Sequence, residues 1–182
     1  LWDETGLPWV LTSPHIPQPI TAIFYPASGI IGELNTISIG VGYTLPFQAF
    51  LATWIDAIKL CDHLNALQLP GWTFRPIYAK PYYGADQGKS AQGVQPYITD
   101  YSKANLSLLQ FYVVEAIEKL FPTHNPIRNA KESRLNMFDK VCGSSKIRKT
   151  FLDSGCKVSS IEEMWTAPAE EFRQRRKPYL LY

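Results

Sequence analysis

The chain reads as an α+β domain: a small mixed or antiparallel sheet early in the sequence, packed by helices, followed by a helical C-terminal third. Three observations predict this. Short β-type runs cluster before Asp100, the strongest helical periodicity lies after Asn105, and strands and helices do not alternate in regular βαβ units.

Residues 1–20 are rich in proline, with Gly6-Leu7-Pro8-Trp9-Val10 and Ser13-Pro14-His15-Ile16-Pro17. Each proline biases its predecessor toward extended geometry. The segment is therefore expected to run as an extended linker, with residues 21–182 forming the domain itself. Thr21 to Tyr25 reads as a strand, and Phe47 to Ala52 as a second. Thr53 is the expected N-cap of the next helix, with Asp56 as its reciprocal acid, and Pro70-Gly71 the expected stop. Trp72 to Tyr78 alternates as a strand whose Pro76 suits an edge or a bulge. Gly93 to Ile98 is a further strand, after a long polar loop that holds Tyr82-Tyr83-Gly84.

Leu106 to Phe121 carries Leu106, Leu109, Val113, Ala116, Ile117 and Leu120 on one face and predicts the main helix. Ser133 to Val141 is a short helix closed by Gly143. Ser144 or Ser145 caps the next, closed by Gly155. Ser159-Ser160-Ile161-Glu162-Glu163 offers overlapping capping boxes, and Pro168 is expected to break or restart that helix. Tyr179 to Tyr182 is an apolar tail that suits a docked strand.

At 182 residues with 46% apolar content, the chain can bury a real core. A net charge of +2 gives no footprint for nucleic acid. No run approaches the ~18 apolar residues of a membrane span. The chain begins at Leu1, which suggests an excised piece with any export signal upstream. Three widely spaced cysteines form neither a disulfide framework nor a zinc motif. Cys61 falls on an apolar helix face. Cys142 and Cys156 flank a short helix, where pairing in an oxidising compartment and free thiols both stay open.

The stretch Gly32 to Phe47 concentrates the candidate chemistry. It holds the carboxylate of Glu33, the amide of Asn35, the hydroxyls of Thr36, Ser38 and Thr44, and the turn-forming Gly40 and Gly42. Glu33 is a candidate acid or base if burial raises its pKa; otherwise it caps backbone amides. The polar groups suit sugar hydroxyls and amides. Gly40-x-Gly42 lacks a following lysine and the fingerprint spacing, which excludes a nucleotide loop. Gln95, Tyr97 and Asp100 surround the second polar loop and its strand, and the tyrosines at 78, 82, 83 and 97 suit a sugar-stacking wall or ordinary half-buried packing. His15, between prolines, is the histidine to watch. No histidine has metal-ligand spacing. No second carboxylate faces Glu33 in any legible motif, although glycoside hydrolysis usually takes two.

Several stretches together resemble the NamZ family of bacterial exo-β-N-acetylmuramidases. Thr5 to Pro17 is similar to the family's T-G-L-P-W-V-x-P-S-P-N-I-P, with His15 in place of Asn. Tyr25, Pro26, Glu33, Ser38, Gly40, Gly42, Thr44, Pro46 and Phe47 match its central Y-P-G-x-x-x-x-E-G-T-N-x-S-x-G-R-G-T-T-x-P-F. Gly93-Val94-Gln95 and Thr99-Asp100 resemble its G-V-Q-x-H-x-T-D, with Tyr97 for His, and the C-terminal run to Tyr182 resembles its closing helix and tail. Val41 stands where the family has an arginine, Ile39 where many members have an acid, and Leu34-Asn35-Thr36 where it has Gly-Thr-Asn.

The resemblance implies the C-terminal half of a longer enzyme, preceded by a Rossmann-like domain, with the active cleft between the two. It implies release of N-acetylmuramic acid (MurNAc) from the non-reducing end of peptidoglycan fragments, with no metal or organic cofactor, in the periplasm or outside the cell. Glu33 would do the charge or proton work, with Asn35, Ser38, Gly40, Gly42, Thr44, Gln95, Tyr97, Asp100 and His15 around the saccharide. The piece alone is expected to be inactive. A non-catalytic glycan-binding or domain-interaction module is the alternative.

Overall fold

A computed structural model describes residues 2–180. Among them, six α-helices surround one three-stranded sheet, in the order α1 (Pro19–Gly32), β1 (Phe50–Ala52), α2 (Ala57–Ala66), β2 (Trp72–Ala79), β3 (Ala91–Ile98), α3 (Leu106–Leu120), α4 (Glu132–Cys142), α5 (Ser145–Asp153) and α6 (Glu162–Arg176). The sheet is antiparallel with strand order β1-β3-β2, so the expected α+β class and small early sheet hold. β2 lies at an edge, where Pro76 has no second ladder to interrupt. β3 is central, and Gly93 is what lets β1 approach it. A Cβ at Gly93 would lie 1.8 Å from the Phe50 carbonyl oxygen.

α2 packs on β2 and β3, α3 packs on α2 and α1 on α3, around a continuous core that includes Phe24, Ile31, Phe50, Leu60, Leu64, Phe74, Val94, Phe111 and Ile117. α4 and α5 close the far side through Phe138 and Phe151, whose rings meet Phe111 edge-on at centroid distances of 6.3 and 5.3 Å. Arg148 holds Asp139 bidentately, both contacts at 2.7 Å, and ties α5 to α4. No helix among the described residues is long and apolar enough to cross a membrane.

Thr21 to Tyr25, read as a strand, lies inside α1. The decisive pattern is Phe24, Ala27, Ile30 and Ile31, a helical stripe that reaches Leu34 just past the helix and is buried along its length. Pro19 sits in the first turn, where its missing N–H costs nothing. Pro26 lies within the helix and masks the pattern. β1 is shorter than expected because Phe47 has a φ of 64° and cannot extend the strand.

Asp56, not Thr53, caps α2: its Oδ1 accepts from the Lys59 N–H at 3.0 Å. That helix ends at Ala66, before Pro70-Gly71, and Gln68 turns with a φ of 50°. Ser144 caps α5 as read, accepting from the Lys146 N–H at 3.1 Å. Ser160 does not cap α6, because its hydroxyl donates to the Lys157 carbonyl at 2.7 Å and lies 2.9 Å from that of Ser154. α6 runs through Pro168 without a break. Tyr179 forms part of a short 3-10 turn rather than a strand, and Leu181 and Tyr182 lie outside the described residues. The three cysteines are free thiols, Cys61 and Cys156 buried and Cys142 half-buried. Burial raises the Cys142 thiol to about 12, with Asp139 adding to the shift.

Before α1, residues 2–5 form a 3-10 turn, and the proline-rich stretch that follows has no regular element. Trp9 anchors it by donating from its indole nitrogen to the Ile16 carbonyl at 3.4 Å.

Candidate functional site

α1 delivers its C-terminus to the edge of a cavity of about 500 Å³. Glu33 is the C-cap residue of α1, half-buried, with its backbone N–H on the Ile30 carbonyl. Asn35 follows with a φ of 54°, a left-handed turn that asparagine tolerates better than most residues. The chain then crosses the sheet edge as a single antiparallel bridge. Ser38 and Leu51 exchange both backbone hydrogen bonds at 2.8 Å. That bridge fixes Ile37, Ser38 and Ile39 along the cavity wall. Gly32 leaves room for the Ile39 side chain, whose Cδ1 a Cβ there would push aside.

The cavity is completed from three further places. Tyr25 and Gly29 project from α1, and Phe47 closes behind them with its ring 5.0 Å from Tyr25 in an edge-on contact. The β2–β3 loop brings Tyr83, Gly84, Ala85 and Gln87. Asp86 pins that loop by accepting from the Thr53 N–H at 2.9 Å. α4 brings Arg134.

Of the residues singled out in the sequence, Glu33, Asn35 and Ser38 line the cavity together. Ser38 is buried, and its hydroxyl accepts weakly from the Gly40 N–H at 3.4 Å. Gly40 and Gly42 do not line it. With φ of 80° and 79° they make the turn, and a Cβ on Gly40 would strike the Leu45 carbonyl at 2.2 Å. Thr44 is exposed and outside the cavity. His15 is exposed, its ring 6.3 Å from that of Tyr83, which places it beside the cavity rim.

Gln95, Tyr97 and Asp100 are not with this group. Gln95 and Tyr97 sit on β3 opposite Arg75 and Thr73, and the Tyr97 hydroxyl donates to Gln95 Oε1 at 2.9 Å. Asp100 organises the turn after β3. The Ser102 hydroxyl, 2.6 Å away, is the main cause that holds its carboxyl down at about 2, with Lys103 adding to it. The expected opposite wall is supplied instead by the 83–87 segment, because β3 runs through the middle of the sheet and not along the cavity. Of the four tyrosines proposed as a stacking wall, Tyr83 alone lines the cavity.

Sequence reading missed Arg134, Gln87 and Tyr25 as cavity residues. Tyr25 carried a signal, since it matched a motif position beside Pro26. Arg134 carried none, because only the packing of α4 near the end of α1 brings it there.

Chemically, the cavity combines one carboxylate, one guanidinium, two carboxamides, a buried hydroxyl and two tyrosine rings. This set suits a polar, hydroxylated ligand that also presents an apolar face. Among the described residues, no group of three or more His, Cys, Asp or Glu is placed to hold a metal ion.

Residues 23–182 match the family described as exo-β-N-acetylmuramidase NamZ, C-terminal. The peptidoglycan β-N-acetylmuramidase NamZ of Bacillus subtilis (strain 168) is 35% identical over 181 residues, covering 100% of this chain and 42% of that protein. The crystal structure of a DUF1343 family protein from Bacteroides fragilis NCTC 9343 superposes with a TM-score of 0.95 at 45% identity, over 100% of this chain and 47% of that one. The chain thus spans less than half the length of either relative. With its family matched over nearly all its residues, the chain belongs to the NamZ C-terminal family.

Proposed function

We propose that the chain is the C-terminal part of a glycoside hydrolase that releases MurNAc from the non-reducing end of peptidoglycan fragments. Its share of the work is to close the cleft and hold the saccharide. The observation that carries this reading is the convergence of Glu33, Asn35 and Ser38 on one cavity, in a family whose characterised relative is a peptidoglycan β-N-acetylmuramidase. Asn35 and Ser38 would bind hydroxyl or N-acetyl groups, and Glu33 would carry charge or move a proton at the scissile bond. Residues 1–20 would lead in from a preceding Rossmann-like domain, and the substrate would place the protein in the periplasm or outside the cell. His15, Gly40, Gly42 and Thr44 would act by shaping the loop and rim rather than by contact.

One observation favours a second reading, a non-catalytic glycan-binding module. Glu33 is the sole carboxylate among the described cavity residues, whereas glycoside hydrolysis usually takes two. Under the first reading the second group comes from outside this chain, and the isolated chain is inactive.

The test compares wild type with Glu33→Gln in the full-length protein on a MurNAc-GlcNAc disaccharide. A fall in kcat of about a hundredfold or more, the scale of a lost general acid or base, is the expected result. Unchanged turnover with the fold intact would make the loop a scaffold.

A further inference from the structure

We infer that Arg134 is a specificity-determining residue of the Glu33 cavity, and that its guanidinium takes a carboxylate carried by the bound saccharide. The inference rests on the glycan reading above and adds to it the residue that recognises the acidic group of the sugar.

Three observations carry it. First, Glu33 and Arg134 are the two charged side chains among the described residues that line the cavity. They are not paired with each other or with any other described residue. Second, three other arginines of the domain have side-chain partners. Arg148 is locked on Asp139, Arg128 contacts Glu118 at 3.5 Å, and Arg75 lies over the Tyr97 ring at 5.8 Å. Arg134 is an exposed side chain with no such partner, and it opens onto the cavity. Third, the remaining wall is neutral: Asn35, Ser38 and Gln87 offer hydrogen bonds, while Ile39, Val41 and Phe47 offer apolar surface.

A guanidinium binds a carboxylate through two parallel N–H donors, which neutral amides cannot reproduce. Glu33 repels a carboxylate from its own side of the cavity. The two charges together therefore orient an acidic sugar as well as hold it. MurNAc fits this demand, because it is GlcNAc bearing a lactyl ether with a free carboxylate.

The experiment is calorimetric titration of the full-length protein with MurNAc, MurNAc methyl ester and GlcNAc. Wild type is expected to bind MurNAc about tenfold more tightly than either neutral sugar, as one charge-assisted contact allows. Arg134→Gln should bring the three affinities together, and Arg134→Lys should restore part of the preference. If Arg134→Gln keeps the preference, or wild type shows none while still binding the sugars, the inference falls and the glycan reading stands. If wild type binds none of the three, both fall.

Discussion

The side-chain oxygen of Gln110, buried in α3, accepts a hydrogen bond from the backbone N–H of Ile31 at 3.0 Å, just before Glu33. The same carboxamide donates to the Pro26 carbonyl at 2.9 Å and to that of Ser107 at 3.0 Å. One side chain thus ties the end of α1 to the central helix α3. The position of Glu33 follows from this tie, since Glu33 itself makes no side-chain hydrogen bond among the described residues.

Gln110→Leu keeps the volume but removes the three hydrogen bonds of a carboxamide that joins Ile31 and Pro26 of α1 to α3. Each such bond contributes roughly 0.5–1.5 kcal/mol net, so a loss of about 1–3 kcal/mol is expected in urea denaturation. A loss below about 0.5 kcal/mol, the scatter of an ordinary surface substitution, would show that α1 is held by its apolar stripe alone.

Asp86 holds the β2–β3 loop to Thr53, and Lys89 joins it at 3.2 Å. Asp86→Ala should free the segment that presents Tyr83 and Gly84 to the cavity. Hydrogen exchange of the 83–88 amides is expected to speed up by about tenfold, the equivalent of one lost hydrogen bond. The β2–β3 ladder amides should keep their rates. Uniform acceleration across the sheet would mean that Asp86 supports the whole hairpin.

Asp100 gives a pH signature. Its carboxyl titrates near 2, against an ordinary 3.8, chiefly because the Ser102 hydroxyl donates to the charged form. The unfolded chain therefore takes up this proton at higher pH than the folded one. The resulting contribution to stability is present in full above about 4 and is lost as pH falls toward about 2. Carboxyl-carbon NMR of Ser102→Ala should show the titration moving up toward 3.8. An unmoved midpoint would assign the shift to Lys103 and to the Ser102 backbone N–H, which also donates to Asp100 at 2.9 Å.

Much of the fold was legible because the signals were local. Ser144 caps α5, Gly143 closes α4 with a φ of 80°, and α3 shows its buried stripe directly. β2 and β3 alternate clearly enough to read. α1 was not legible, because β-type residues and Pro26 obscure a helical stripe whose support comes from Gln110. The N-cap of α2 was misplaced because Thr53, the better-looking cap, is held by Asp86 from another loop.

For the candidate site the division is similar. Glu33, Asn35 and Ser38 were identifiable from a compact polar stretch between apolar runs, and the antiparallel Ser38–Leu51 bridge keeps them on one wall. Gln95, Tyr97 and Asp100 have the same residue chemistry, but the sheet order carries them elsewhere.

The sequence by itself determined the α+β class, the family and the loop that bears Glu33, since each rests on residues close together in the chain. Tertiary structure alone decided what faces that loop: Tyr83 and Gln87 in place of the β3 residues, and Arg134 from α4. Local patterns report propensity and periodicity, whereas the walls of a cavity are set by which distant elements bury their apolar faces against one another.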